Sequence, residues 1–180
     1  MGDERIRVFC ALRLPDPVLD GIVAWQESEL QVAGLRIVRR EQLHVTLAFL
    51  GRIPAAQVRA LTRAQRSAVR AAGRIELGFP AGGYRETRTV GMLLLRDVHG
   101  TAAALAEDLH DRLERLGLYE RERRAWLPHV TVARFRKRLG LELESPDAGS
   151  FTPSEAAVYH SVLRPSGAQY QVIESVALGG

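Results

Sequence analysis

Apolar and polar positions divide the chain into short compact runs and longer periodic ones. Ile6 to Leu12 is an apolar-rich run that reads as a strand. In the following Pro15-Asp16-Pro17, Asp16 can cap a helix and Pro17 can occupy its first turn. That helix is predicted to run towards Leu30, with Val18, Ile22, Val23 and Leu30 on one face and Glu27 and Glu29 in water. A short strand is predicted near Leu35 to Val38. Leu43 to Leu50 is a compact apolar strand stopped by Gly51, and Pro54 opens a second helix through about Val69.

Strands are predicted again at Ile75 to Phe79 and Val90 to Leu95, on either side of the turn-rich Pro80-Ala81-Gly82-Gly83. Thr101 can cap a third helix, in which Leu105, Leu109, Leu113 and Leu116 form one apolar stripe and Gly117 is the stop. Pro128 precedes a strand over His129 to Phe135, and Lys137 to Ser150 reads as an irregular loop. Ala156 to Leu163 and Gln169 to Leu178 form a hairpin turned by Pro165-Ser166-Gly167. Strands and helices mix without steady alternation, so the predicted class is α+β with mostly antiparallel sheets.

At 180 residues the chain fits one domain, with room for two similar halves. Its 46% hydrophobic and 26% charged residues exclude a disordered chain. A formal charge of +4 permits an anionic partner, although the arginines are scattered. Cys10 is the one cysteine, which excludes an intrachain disulfide and a cysteine-based zinc cluster; in its apolar strand it reads as a core residue. The polar stretch Met1 to Arg7 lacks a signal-peptide pattern and no run is long enough to span a bilayer, so the expectation is a cytoplasmic monomer with no membrane partner.

One internal repeat changes the picture. Leu43-His44-Val45-Thr46-Leu47-Ala48-Phe49 resembles Pro128-His129-Val130-Thr131-Val132-Ala133-Arg134-Phe135. Histidine, valine, threonine and alanine match without a gap, and the phenylalanines match as well if Arg134 is an insertion. Residues two apart on a strand share a face, so each motif offers an imidazole beside a hydroxyl. Two such pairs in one pocket suit a phosphate. Opening a cyclic phosphodiester needs a base for water and an acid for the departing oxygen, and histidine serves both near neutral pH. The hydroxyls of Thr46 and Thr131 can donate to nonbridging oxygens, and Arg134 can stabilise the phosphate charge.

These residues resemble the two-histidine phosphoesterase superfamily, in its RNA 2′,3′-cyclic phosphodiesterase or 2′-5′ RNA ligase branch. The match runs through His44-Val45-Thr46-Leu47-Ala48-Phe49-Leu50-Gly51 and Pro128-His129-Val130-Thr131-Val132-Ala133-Arg134. Arg124 stands at the position of an upstream family arginine, and both Val8 to Leu12 and Ser161 to Tyr170 also look like the branch. The resemblance implies two pseudo-symmetric α+β lobes around a central cleft, one motif from each. It implies hydrolysis to a 2′-phosphate, with His44 as proton donor and His129 as the base, and neither metal nor cofactor. Family members often carry a tryptophan where this chain has Gly91-Met92. Phe49, Tyr84 and Trp126 are therefore the candidate surfaces for stacking a base.

A lone His-x-Thr would more often mark a structural histidine; the second copy points to a shared site. His99, His110 and His160 lack such partners and receive no catalytic role. Arg121, Arg123, Arg124, Arg134, Arg136, Lys137 and Arg138 make the densest basic stretch, with RNA ends or small nucleotides bearing a 2′,3′-cyclic phosphate the expected partners. The competing functions are 2′-5′ ligation at the same site and a noncatalytic RNA-end binding module. A metal-dependent hydrolase is disfavoured because neither motif histidine has carboxylates at ligand spacing.

Overall fold

A computed structural model describes residues 4–178. Its architecture is α+β. The first strand, β1 (Arg5–Arg13), lies between two antiparallel neighbours, β3 (Val45–Pro54) and β10 (Glu155–Arg164), and β10 turns through Pro165 and Ser166 into the edge strand β11 (Gly167–Ala177). The other half of the same sheet is β8 (His129–Phe135), β6 (Val90–Leu94) and β5 (Tyr84–Glu86), with β2 (Leu35–Ile37) paired to the far end of β8. The halves meet at one backbone pair, Val45 opposite Val130. A separate three-stranded sheet joins β4 (Leu77–Gly78), β7 (Arg96–Asp97) and β9 (Ser150–Phe151).

Three helices, α1 (Asp16–Glu29), α2 (Val58–Ala71) and α3 (Thr101–Arg115), bury their apolar sides in the main core. Alternation along β1 assigns the faces. Val8, Cys10 and Leu12 join that core, whereas Phe9 and Ala11 cluster on the opposite face with Ala157 and Tyr159. This opposite face carries the motifs.

The helix ends differ from the sequence reading. Pro15 is the cap of α1, and Asp16 is already helical, where it accepts from Arg40 at 2.9 Å. Thr101 is likewise the first helical residue of α3, after Gly100 at φ 73°; Asp97 accepts from the free Ala103 N–H at 2.8 Å. Leu116 is exposed, so the α3 stripe ends at Leu113 and is completed by Ala102, Ala106 and His110. Gly117 does stop the helix, at φ 66°, with the Leu118 N–H returning to Leu113 O.

The strands differ too. Only Leu77 and Gly78 of the expected Ile75–Phe79 strand form a ladder, and the turn-rich segment before Tyr84 leads into β5, which the sequence did not signal. β3 does not stop at Gly51: extra residues at Leu47 and Leu50 bulge the strand, which continues to Pro54. A 3-10 turn, Ala55–Gln57, then precedes α2.

The bulge at Leu47 has a twin at Val132, where β8 carries two residues against one step of β6. Each is held by a helix side chain. Buried His110 of α3 bonds through Nε2 to Leu47 O at 2.7 Å, and buried Gln26 of α1 donates to Val132 O at 2.9 Å and Val38 O at 3.0 Å. Replacing Gln26 by leucine keeps the bulk but removes both donations. It should destabilise the fold by about 1–3 kcal/mol, read as a lower urea midpoint at unchanged m value. An unchanged midpoint would show that the bulge needs no such support.

Candidate active site

The pair Val45 opposite Val130 sets the geometry of the site. In an antiparallel ladder this register puts His44 across from Thr131 and Thr46 across from His129, all on one face. Val45 and Val130 turn to the other face and are completely buried. Each threonine thus stands beside the other motif's histidine as well as its own.

The bulges extend the correspondence by one position. Leu47 and Ala48 both turn into the core, as do Val132 and Ala133, so the next residue on each strand returns to the site face. Phe49 is therefore the counterpart of Arg134, and the two motifs align without a gap. The insertion that would have matched Phe49 to Phe135 does not exist; Phe135 is buried. The first half acquires a guanidinium another way: Arg7 lies over the Phe49 ring at 4.8 Å and reaches Ser161 Oγ at 3.4 Å.

The two imidazoles are anchored alike. His44 Nδ1 bonds to Gln42 O at 2.7 Å and His129 Nδ1 to Leu127 O at 2.9 Å, each the carbonyl two residues upstream. A carbonyl only accepts, so Nδ1 carries the proton in both neutral rings and Nε2 is left for chemistry. Their surroundings differ. His44 Nε2 meets Thr46 Oγ1 at 3.1 Å, and the ring packs near Phe9 at 5.0 Å and edge-on to Tyr170 at 5.6 Å. Burial lowers its pKa to about 4; the Gln42 carbonyl opposes this, while the positive fields of His129 and Arg134 add to it.

Two clefts flank the pair. The larger, of about 560 Å³, is lined by His44, Thr46, Thr131 and Arg134; the smaller, of about 340 Å³, by His129. Thr46 and Phe49 border both.

The remaining sequence candidates fall into different places. Trp126 borders the smaller cleft and donates its indole N–H to Thr46 O at 2.9 Å, which braces the first motif. Arg124 borders the same cleft, strongly exposed and paired with Glu122 at 3.2 Å. Tyr84 lines neither: it is buried beside Trp25 and donates to Glu86 at 3.1 Å. Its ring occupies the space over Gly91, where a Cβ would lie 2.5 Å from the phenol oxygen, so no tryptophan fits at Gly91. Buried Cys10 has its thiol pKa pushed up to about 12 by desolvation. Among the described residues no group of three or more histidine, cysteine or acidic side chains gathers as metal ligands, and no helix is long and apolar enough to cross a membrane.

Sequence reasoning missed Gln26 and His110, because helix residues far from the motifs give no local sign of reaching a bulge. It also missed Arg7, Arg36 and Arg39, all on the larger cleft. For Arg39 a signal existed: it stands five residues before His44, as Arg124 stands five before His129.

Comparison with known proteins places the chain in a family. The 2′-5′ RNA ligase superfamily model matches residues 14–163. A curated Escherichia coli K12 protein named RNA 2′,3′-cyclic phosphodiesterase is 31% identical over 137 residues, 73% of each chain. One of the same name from Methanocaldococcus jannaschii is 24% identical over 177 residues, 94% of this chain and 99% of that one. Among solved structures, Escherichia coli LigT complexed with 3′-AMP superposes with a TM-score of 0.81 at 25% identity, covering 98% of this chain and 100% of that one. A Thermus thermophilus protein gives a TM-score of 0.83 at 24% identity, with 96% and 98% covered.

The part-buried imidazole makes stability depend on pH. His44 binds its proton more weakly folded than unfolded, so stability is full above the ordinary histidine value of 6.5 and is lost as pH falls from there towards about 4. The loss from this residue is about 3 kcal/mol at most. Denaturant titrations of wild type and His44→Gln at a series of pH values should show the wild-type slope flattened in the variant. Parallel slopes would mean that His44 is not held neutral.

Proposed function

The chain belongs to the 2′-5′ RNA ligase superfamily, and on that premise we propose that it hydrolyses the 2′,3′-cyclic phosphate at RNA ends to a 2′-phosphate, using His44 and His129 without a metal ion. The observation that carries this reading is the Val45–Val130 pair, which turns two imidazoles and two hydroxyls to one face. In support, the curated relatives are named RNA 2′,3′-cyclic phosphodiesterase, and the LigT neighbour was solved with 3′-AMP.

In this mechanism the phosphate sits over Thr46 and Thr131, whose hydroxyls donate to its nonbridging oxygens, with Arg134 neutralising charge as the pentacoordinate state develops. His129 takes a proton from water through Nε2. The water oxygen attacks phosphorus, the bond to the 3′ oxygen breaks, and His44 gives that oxygen its proton. Acid and base stand diagonally across the threonines, as in-line displacement requires. His44 is neutral in the free protein, so it must gain its proton with the substrate. The anionic diester supplies the cause, because an anion beside an imidazole favours the charged form.

The smaller cleft supports a second reading. It opens on His129, and a ribose 5′-hydroxyl entering there in place of water would attack the cyclic phosphate, breaking the bond to the 3′ oxygen and leaving a 2′-5′ linkage by the same proton transfers.

Cyclic-phosphate oligonucleotides incubated in excess chelator should be converted to 2′-phosphates. His44→Ala and His129→Ala should each lower kcat by about 10²–10⁴. Retained activity in either variant, or loss of activity in chelator that added metal restores, would overturn the mechanism. Supplying 5′-hydroxyl RNA and looking for joined product separates ligation from hydrolysis.

The two histidine roles have their own test. Binding of a 2′,3′-cyclic nucleotide to His129→Ala at pH 6, measured calorimetrically in buffers of different ionisation heat, should take up close to one proton. The diester itself does not titrate there. No uptake would leave His44 neutral in the complex and exchange the two roles.

A further inference from the structure

The two clefts are related by the pseudo-symmetry of the motifs but differ in charge. The larger is lined by Arg7, Arg36, Arg39 and Arg134 and, among the described residues, by no aspartate or glutamate. The smaller mixes Arg121, Arg123 and Arg124 with Glu107 and Glu122, and Arg121 is already held by Glu107 at 2.8 Å. A cyclic phosphate carries one negative charge, and Arg134 on the motif strand serves it. Three guanidiniums in the larger cleft therefore exceed what the reacting group needs.

Arg36 and Arg39 are exposed along this cleft, and Arg7 is half-buried. Arg7 is fixed on Phe49 and Ser161. Arg39 pairs through Nε with Glu41 at 3.2 Å, which leaves the rest of its fork available. Arg36 forms no salt bridge among the described residues and lies against the hairpin turn at Gly167, with Nη1 4.0 Å from where a Cβ would project. Gln42 clamps that turn by donating to Ala168 O at 2.6 Å, so the cleft has a fixed outer wall.

We propose that the larger cleft is a binding site for the RNA strand leading to the cyclic end, with Arg36 and Arg39, aided by Arg7, holding the phosphate that precedes the terminal nucleotide. This rests on His44 as proton donor: its proton goes to the ribose 3′ oxygen, so that ribose lies on the His44 side and its 5′ continuation runs into the same cleft. The protein is thereby an oligonucleotide enzyme, and a mononucleotide fills only part of its site. The smaller cleft is left to the attacking water.

The experiment compares a nucleoside 2′,3′-cyclic phosphate with a dinucleotide and a trinucleotide ending in the same cyclic nucleotide. kcat/KM should rise about tenfold or more from the first to the second, the gain expected of one charge-assisted phosphate contact. Its dependence on log salt should steepen by about 0.7 per phosphate engaged. Arg36→Ala and Arg39→Ala should each shrink the dinucleotide-to-mononucleotide ratio, whereas Arg123→Ala in the smaller cleft should leave the ratio in place. A wild-type ratio near one overturns the inference while leaving the phosphodiesterase reading intact. So does a ratio that falls only in Arg123→Ala, which moves the strand to the other cleft. No turnover of any of the three substrates overturns the phosphodiesterase reading and this one with it.

Discussion

The backbone pair between Val45 and Val130 is the contact on which the site depends. Because it is antiparallel, it relates the two halves of the sheet by an approximate twofold axis, and identical tripeptides placed on such an axis present identical faces. Because it is a single pair, the strands splay apart beyond it on both sides. β2 follows the far end of β8, and the segment carrying Trp126 lies along β3. The two clefts are the space that this splaying leaves. A longer ladder would give a continuous sheet with no room for a phosphate between the histidines.

A junction so narrow cannot fix the relative positions of four side chains by itself. The support comes from donors that reach across it. Gln26 binds the bulge of β8, His110 binds the bulge of β3, and Trp126, upstream of the second motif, holds the carbonyl of the first motif's threonine. All three bind backbone oxygens at or next to a motif, and Val132 O accepts from the Val38 N–H at 3.0 Å as well. Such carbonyls would be costly to bury unpaired. The donors that satisfy them also fix the site, so folding and preorganisation share the same hydrogen bonds.

The sequence was informative where one rule sufficed. The periodicity of α3, the strand at His129 to Phe135 and the final hairpin follow from spacing and turn residues, and the paired His-Val-Thr motif reveals which two strand faces lie side by side. It failed where a tertiary contact decided. Asp16 and Thr101 are good caps by composition, but Pro15 and Gly100 occupy the cap positions, Gly100 in a left-handed conformation that favours glycine. Tyr84 looked like an available ring and is packed over Gly91, each explaining the other. The bulges leave no mark in the residue types, which is why a gap matching the two phenylalanines was attractive and wrong.

Pseudo-symmetry places the two histidines alike but does not make them equal. Both are tethered at Nδ1 to the carbonyl two residues upstream, so the motif accounts for tautomer and orientation. What separates them lies outside the motif. β1 and the terminal hairpin bring Phe9, Tyr159 and Tyr170 around His44, and these rings strip it of water. Arg134 lies on the same side, and its field also opposes a charge on that ring until an anion arrives. In the proposed mechanism, an imidazole that is neutral when the cleft is empty and charged when phosphate fills it delivers a proton only in the complex. The asymmetry thus arises from the strands added to one half of the sheet, while the symmetry of the motifs supplies the in-line geometry in which that asymmetry is useful.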